Sequence, residues 1–423
     1  MNHGEINQVR VEGTVAPGFE SVREKFEQDM ATLLEKNAQL CVYVGGEKVV
    51  DLWGSAAGDE DFSADSLVNV FSSGKSLEAI AIASLVSKGL LSYDDKIARC
   101  WPEFAARGKQ DLTVADLMRH EAGLAWLDTS IPPEDLLSHN IRQNRVGSVI
   151  EGQEAQFREV GTAREYHAIT RGWIANELFR RVDPQGRTIG EHLKEDLQMP
   201  LAADVHIGVH EDCLCRVSPV VPIAPGKHLL ESMKPKFMGR KVRDNLFQIS
   251  GKLVRLVPGF RHRTRKGAPR PFTGMDRIEF FNKPEVAMGE TPSANAHASA
   301  RGLAKLAAVM AGGGSWQGRE YVSESAWALM HGEPVLRSMG MPTTFTQGGV
   351  ALFSETSPGA PRIERALNQG REGFYGWMGL GGSVFQWHPE HRIGFAYVPT
   401  SLHLLDLVNE RAKVFQQKVL SLI

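Results

Sequence analysis

A serine stands three residues ahead of a lysine in Val70-Phe71-Ser72-Ser73-Gly74-Lys75-Ser76, and the apolar run Leu77 to Val86 follows at once. On a helix that spacing places both side chains on one side of the first turn. A serine hydroxyl is a weak nucleophile until a neighbour takes its proton, and a desolvated lysine can do so because burial disfavours the ammonium. Helix N-terminal N–H groups also favour negative charge developing on an attacked carbonyl. Ser72 is thus the candidate nucleophile and Lys75 its base; Ser73, two residues from Lys75, would diverge from it. The tetrapeptide alone also fits a helix cap followed by a solvated lysine, so the rest of the chain has to decide.

Other residues could do chemistry. Tyr166 sits where a helical stretch is expected to open, and Trp377-Met378-Gly379 precedes Gly381-Gly382-Ser383 on a late strand. His120 and His167 read as structural hydrogen-bonders. His388 and His391 lie in an expected hairpin turn without a third ligand nearby in sequence, so no metal is expected. Cys41, Cys100, Cys213 and Cys215 make neither a disulfide framework nor a zinc pattern, which implies reduced thiols and, by default, a cytoplasmic protein. The polar N-terminus reads as neither a secretory signal nor a transit peptide. A net charge of −2 implies no bulk attraction to nucleic acid or membrane, and no stretch is apolar enough to span a bilayer.

The elements that must position these residues follow from periodicity and punctuation. A helix is expected over 20–37, and a hairpin over Leu40 to Trp53 around Gly45-Gly46. The apolar run after Ser72 is apolar on nearly every face, so its helix should be buried mid-domain. Thr113 should cap a short helix, Thr113 to Arg119, with Asp116 in its first turn and Gly123 in the turn that follows it. Helices are expected from Tyr166 to Arg181, from Arg301 to Met310 and from His403 to Leu420, with late strands Ser383 to Trp387 and Arg392 to Val398. Lys234 to Arg270 carries twelve Lys/Arg and a single acid, Asp244, among apolar residues. It could be a basic flap touching an anionic partner. The preferred reading is an insertion that packs its apolar side on the domain and exposes its cations.

The order of Ser72-x-x-Lys75, Tyr166 and Trp377-Met378-Gly379 resembles the serine β-lactamase and penicillin-binding protein superfamily. Within it the chain resembles the class C β-lactamase-related hydrolases, which include the family VIII carboxylesterases. Leu117 to Leu124 resembles that family's His-x-x-Gly-Leu segment, and Thr291 to Gly302 its Pro-Ser-Ala-Asn stretch. The resemblance covers roughly Gly18 to Ile423. It implies an α/β protein of α+β type with the β-lactamase/transpeptidase-like fold. One domain, 18–423, would combine an antiparallel sheet (about 18–70 and 300–423) with a mostly helical part (about 71–299, including the basic insertion 234–270).

The resemblance also implies a mechanism. Ser72 would form an acyl-enzyme that water hydrolyses, Lys75 and Tyr166 would share the base and acid work, and no cofactor would be needed. Tyr166 could do so only if positive charge, naturally that of Lys75, lowers its pKa. The backbone N–H groups of Ser72 and Leu380 would form the oxyanion hole, with Trp377 and Gly379 contacting substrate. Two departures bear on that substrate. Ala168 stands where many β-lactam-hydrolysing members carry asparagine, and Trp377 where they carry the lysine of Lys-Thr-Gly. The expectation is a serine hydrolase of small carboxylic esters. A β-lactamase or an acyltransferase with the same site stays open, as does a non-catalytic, self-assembling member, and a homo-oligomer is compatible with each.

Overall fold

A computed structural model describes residues 9–156, 163–261 and 268–423. Nine strands form one antiparallel sheet: β1 (Arg10–Val15), β2 (Asn37–Val44), β3 (Glu47–Ser55), β4 (Val335–Ser338), β5 (Pro342–Phe345), β6 (Ala351–Leu352), β7 (Tyr375–Met378), β8 (Val384–His388) and β9 (Ile393–Pro399). Their spatial order is β1-β3-β2-β9-β8-β7-β6-β5-β4. The chain's two ends therefore meet at the β2–β9 pair, where Phe395 lies opposite Val42. The expected hairpin turns at Gly45 and Gly46, both with positive φ, as a tight hairpin connection requires. Strand β1 precedes residue 18, the expected start of the domain. It pairs along its length with β3, from Arg10 opposite Ser55 to Val15 opposite Val50.

The principal helices are α1 (Glu20–Thr32), α2 (Gly74–Ser87), α3 (Thr170–Val182), α4 (Pro225–Met233), α5 (Leu246–Arg261), α6 (Ala300–Ala311) and α7 (Glu410–Leu420). Both faces of the sheet are covered, so its central strands are apolar on both sides and show no polar alternation. Leu40 and Val42 pack with Phe26 of α1 and Phe415 of α7 in one core cluster. Cys41 and Tyr43, one residue out of phase, join α2 and α6 in the other. A Cβ on Gly394 would strike the backbone of α6 at Ala304 and Ala308, so glycine lets that helix lie directly on β9.

Helix α2 is the axis of the second layer, and every residue from Gly74 to Leu85 is buried. It packs against α3 and behind β7. The Thr113 cap forms as a capping box with Asp116. That helix runs from Val114 to Met118 between its caps Thr113 and Arg119, as expected, and His120 follows in the left-handed conformation at φ 65°. Tyr166, by contrast, lies ahead of its helix: α3 begins at Thr170, and the tyrosine sits on the irregular approach to it.

The basic segment corrects the sequence reading. Ile249 and Val242 are buried as expected, but Phe237 is 88% and Phe247 89% exposed. The apolar side is therefore not packed on the domain as a whole. Residues 262–267 of the segment lie outside the described residues.

Candidate active site

Phe71 holds φ at +45°, a conformation costly for a bulky residue, and its N–H donates to Asn69 Oδ1 at 2.8 Å. This bend turns the chain from the short strand Val68–Asn69 into α2 and leaves Ser72 partly exposed at the helix entrance. Lys75 is almost completely buried one turn on, with Nζ 3.4 Å from Ser72 Oγ. The same nitrogen donates to the carbonyls of Ala168 at 2.7 Å and Ser293 at 3.0 Å. Desolvation, with the Arg171 charge adding to it, holds the Lys75 pKa well below its usual range, and Glu78 opposes the shift. A neutral amine has two N–H donors, and two carbonyls take them. Its lone pair is then left for the Ser72 proton.

Behind Lys75 lies an ion pair that the sequence reading did not find. Arg171 Nε meets Glu78 Oε1 at 2.7 Å with both side chains wholly buried. Arg171 also donates to the Lys75 carbonyl at 3.0 Å, and Ser293 Oγ to Glu78 Oε2 at 2.7 Å. A lone acid in an otherwise apolar helix was the available signal, since buried carboxylates need partners. It did not say which cation. The Pro-Ser-Ala-Asn loop is wedged between helices, and a Cβ on Gly172 would meet the backbone and side chain of Ser293.

Tyr166 joins the cluster from α3's approach. Its hydroxyl is hydrogen-bonded with Ser72 and accepts the Trp377 indole N–H at 3.0 Å, and Lys75 Nζ lies 4.8 Å from its ring centroid. Desolvation raises its pKa, while the Ser72 and Trp377 hydrogen bonds oppose the rise. The expected lowering by Lys75 is not found. Burial outweighs the two hydrogen bonds and the Arg171 charge that oppose it, so the phenol is held above its usual range. Because Tyr166 oxygen already accepts from Trp377, its own O–H is free to point at Ser72 or a leaving group.

Histidines brace this arrangement. His167 Nδ1 meets the Glu165 carbonyl at 2.6 Å, and its Nε2 accepts the Leu124 N–H at 3.0 Å. His120 Nδ1 accepts the His167 N–H at 3.1 Å, and the His120 ring packs 4.9 Å from Tyr166. Burial lowers both imidazole pKa values, that of His167 to about 3, so both are neutral supports rather than bases.

The third wall is the end of β7. Trp377 packs against Phe345 and Phe353 with its ring nearly parallel to the latter. A Cβ on Gly379 would fall on the Ser383 hydroxyl and the Val70 carbonyl, so only glycine lets this strand end approach the nucleophile's turn. Ser383 Oγ donates to the Val70 carbonyl at 2.7 Å and lies 3.0 Å from Ser73 Oγ. Asn409 clamps the Gly379 and Ser383 carbonyls from α7's entrance at 3.1 and 2.9 Å. Leu380 is 44% exposed, and neither its N–H nor that of Ser72 has an acceptor among the described residues.

Features elsewhere do not share this chemistry. A groove of about 590 Å³, lined in part by Lys194, Gln198, His206 and Cys213, includes none of the residues above. His388, Glu390 and His391 bring potential ligand atoms within 4.8 Å at the other end of the β7–β8 hairpin. His388 Nδ1 is already engaged by the His391 N–H at 3.3 Å.

Residues 22–417 match the sequence model of the beta-lactamase family. The chain is 30% identical over 403 residues to the esterase/beta-lactamase LipL of Mycobacterium tuberculosis, covering 93% of this chain and 83% of that protein. Among solved structures, a penicillin-binding protein homologue from Caulobacter crescentus superposes with a TM-score of 0.73 at 27% identity, over 98% of this chain and 100% of the other. A family VIII carboxylesterase gives 0.76 at 25% identity with the same coverage.

Proposed function

Because the chain belongs to the beta-lactamase family and is a serine hydrolase of that fold, we propose that it cleaves small carboxylic esters through an acyl-enzyme on Ser72. Neutral Lys75 takes the proton from Ser72 Oγ as that oxygen attacks the ester carbonyl. The N–H groups of Ser72 and Leu380 receive the developing oxyanion. Collapse breaks the bond to the alkoxide, and the Tyr166 O–H supplies the proton with which the alcohol leaves. Water, deprotonated by the Tyr166 phenolate, attacks the acyl carbonyl; the bond to Ser72 Oγ breaks, and the Lys75 ammonium returns its proton to that oxygen. The observation that carries this reading is Lys75 Nζ beside Ser72 Oγ with two carbonyls as its other partners.

The choice of ester over β-lactam rests on Trp377 and Ala168. Trp377 occupies the position of the lysine that would meet a β-lactam carboxylate, and its single N–H is committed to Tyr166. Ala168 has no amide to bind a substrate's side-chain amide. The test is turnover of p-nitrophenyl acetate and butyrate by wild type and Ser72→Ala, beside nitrocefin, with intact-mass detection of a phosphonate adduct. Ester turnover and one adduct, both lost in Ser72→Ala, are expected, with nitrocefin the poorer substrate. Full activity in Ser72→Ala would refute the assignment.

A further inference from the structure

We propose that α4, α5 and the link between them form a docking face for an anionic lipid surface. The apolar side chains Leu230, Met233, Phe237, Met238, Phe247 and Val254 are all exposed, from 64% to 89%. Leu230 and Met233 share one face of α4 at helical spacing, and Phe247 and Val254 stand two turns apart on one face of α5. The two helices touch. More than half of the large apolar side chains exposed among the described residues lie in this single stretch of the chain. Scattered exposed apolar residues need no explanation, whereas a concentration of this kind marks a contact surface.

The sign of the surrounding charge identifies the occupant. Lys227, Lys236 and Lys241 are exposed, and among the described residues none has an ion-pair partner. The two acids of this stretch, Glu231 and Asp244, are buried and paired with Lys234 and Lys252. The exposed side chains that this stretch itself contributes are thus apolar and cationic, and its two acids are neutralised within it. Lysine is depleted from protein–protein interfaces. On an anionic bilayer the lysines reach phosphate headgroups while phenylalanine and methionine enter the acyl boundary.

The backing of this face is firm. Arg243 is paired with Asp29 of α1, the Lys241 carbonyl accepts the Leu34 N–H at 2.9 Å, and Lys252 meets Glu410 of α7 at 3.1 Å. The face is also tied to the candidate site's rim. The Ile223 N–H, just before α4, donates to the Leu402 carbonyl at 3.0 Å, and Leu402 packs against Gly381. A chain docked here would hold that rim close to the lipid.

Flotation of the full chain with phosphatidylcholine vesicles, with and without phosphatidylglycerol, tests this. Wild type is expected to float with the anionic vesicles at low salt and to be released by high salt. Lys227→Glu/Lys236→Glu/Lys241→Glu should weaken partitioning by about fivefold or more per lysine, and Phe237→Ser/Phe247→Ser by about tenfold or more. Both variants should keep wild-type ester turnover in solution, which shows them folded. No flotation of wild type at low salt would overturn the proposal, as would unchanged flotation of both variants. Self-association without flotation, abolished by the phenylalanine changes, would reassign the face to a second copy of the chain.

Discussion

Replacing Trp377 by phenylalanine isolates one atom of the site, the indole N–H donated to Tyr166 oxygen at 3.0 Å. Phenylalanine keeps an aromatic ring against Phe345 and Phe353, so the packing loss is limited to about 1–2 kcal/mol of stability. Its effect on catalysis should be larger than that of a neutral hydrogen bond. As Tyr166 gives its proton to the leaving oxygen, negative charge builds on the phenol, and a donor to a charged acceptor is worth about 1.5–3 kcal/mol. That converts to a loss of roughly 10- to 150-fold in kcat, with KM for a small neutral ester little changed. The assay is a double-mutant cycle with Tyr166→Phe, followed by p-nitrophenyl butyrate turnover. Once the phenol is gone, Trp377→Phe should cost almost nothing further. An equal loss in both backgrounds would refute the reasoning, because the indole would then act on the substrate or through packing.

Glu78→Gln should move the acidic limb of the kcat/KM profile to lower pH, because Glu78 raises the Lys75 pKa and its removal disfavours the ammonium further. The same change leaves Arg171 unpaired, so denaturant melts should show a loss of about 3–5 kcal/mol; a limb displaced upward would contradict the role given to Lys75. Gly379→Ala should cut ester turnover by at least about tenfold with the protein still folded, since the new methyl must push β7's end away from Val70 and Ser383; wild-type turnover would show that this approach is not needed. Acid should destabilise the fold early. The buried His297 and His331 have pKa values lowered to about 4, so the unfolded chain binds protons more readily below the ordinary histidine value of 6.5. Their contribution is complete above that pH and is lost between 6.5 and 4, at about 1.4 kcal/mol per pH unit and residue. Chemical melts across that window should show the slope, and flat stability would mean that these imidazoles charge freely in the folded state.

The sequence by itself determined the elements whose signals are local. The apolar run after Ser72 required a buried helix, Gly45-Gly46 a tight turn, and Thr113 a helix cap, because periodicity, φ preference and capping act over a few residues. The ordered motifs also pointed to the β-lactamase fold, which the structure and the family match bear out. What the tertiary structure decided is which distant groups share a buried space. Glu78 and Arg171 are 93 residues apart in the chain, and Trp377 and Tyr166 211. Strand β1 drew no notice because an edge strand facing solvent needs little apolar patterning. The direction of the Tyr166 pKa was misjudged for the same reason that the Lys75 shift was legible. Burial acts on both, lowering the amine and raising the phenol, and only the packed site shows that desolvation outweighs the Ser72 and Trp377 hydrogen bonds that oppose it at the phenol. Likewise the composition of the basic segment was plain, but whether its apolar residues faced inward or outward depended on how much surface α1 and α7 had left to cover them.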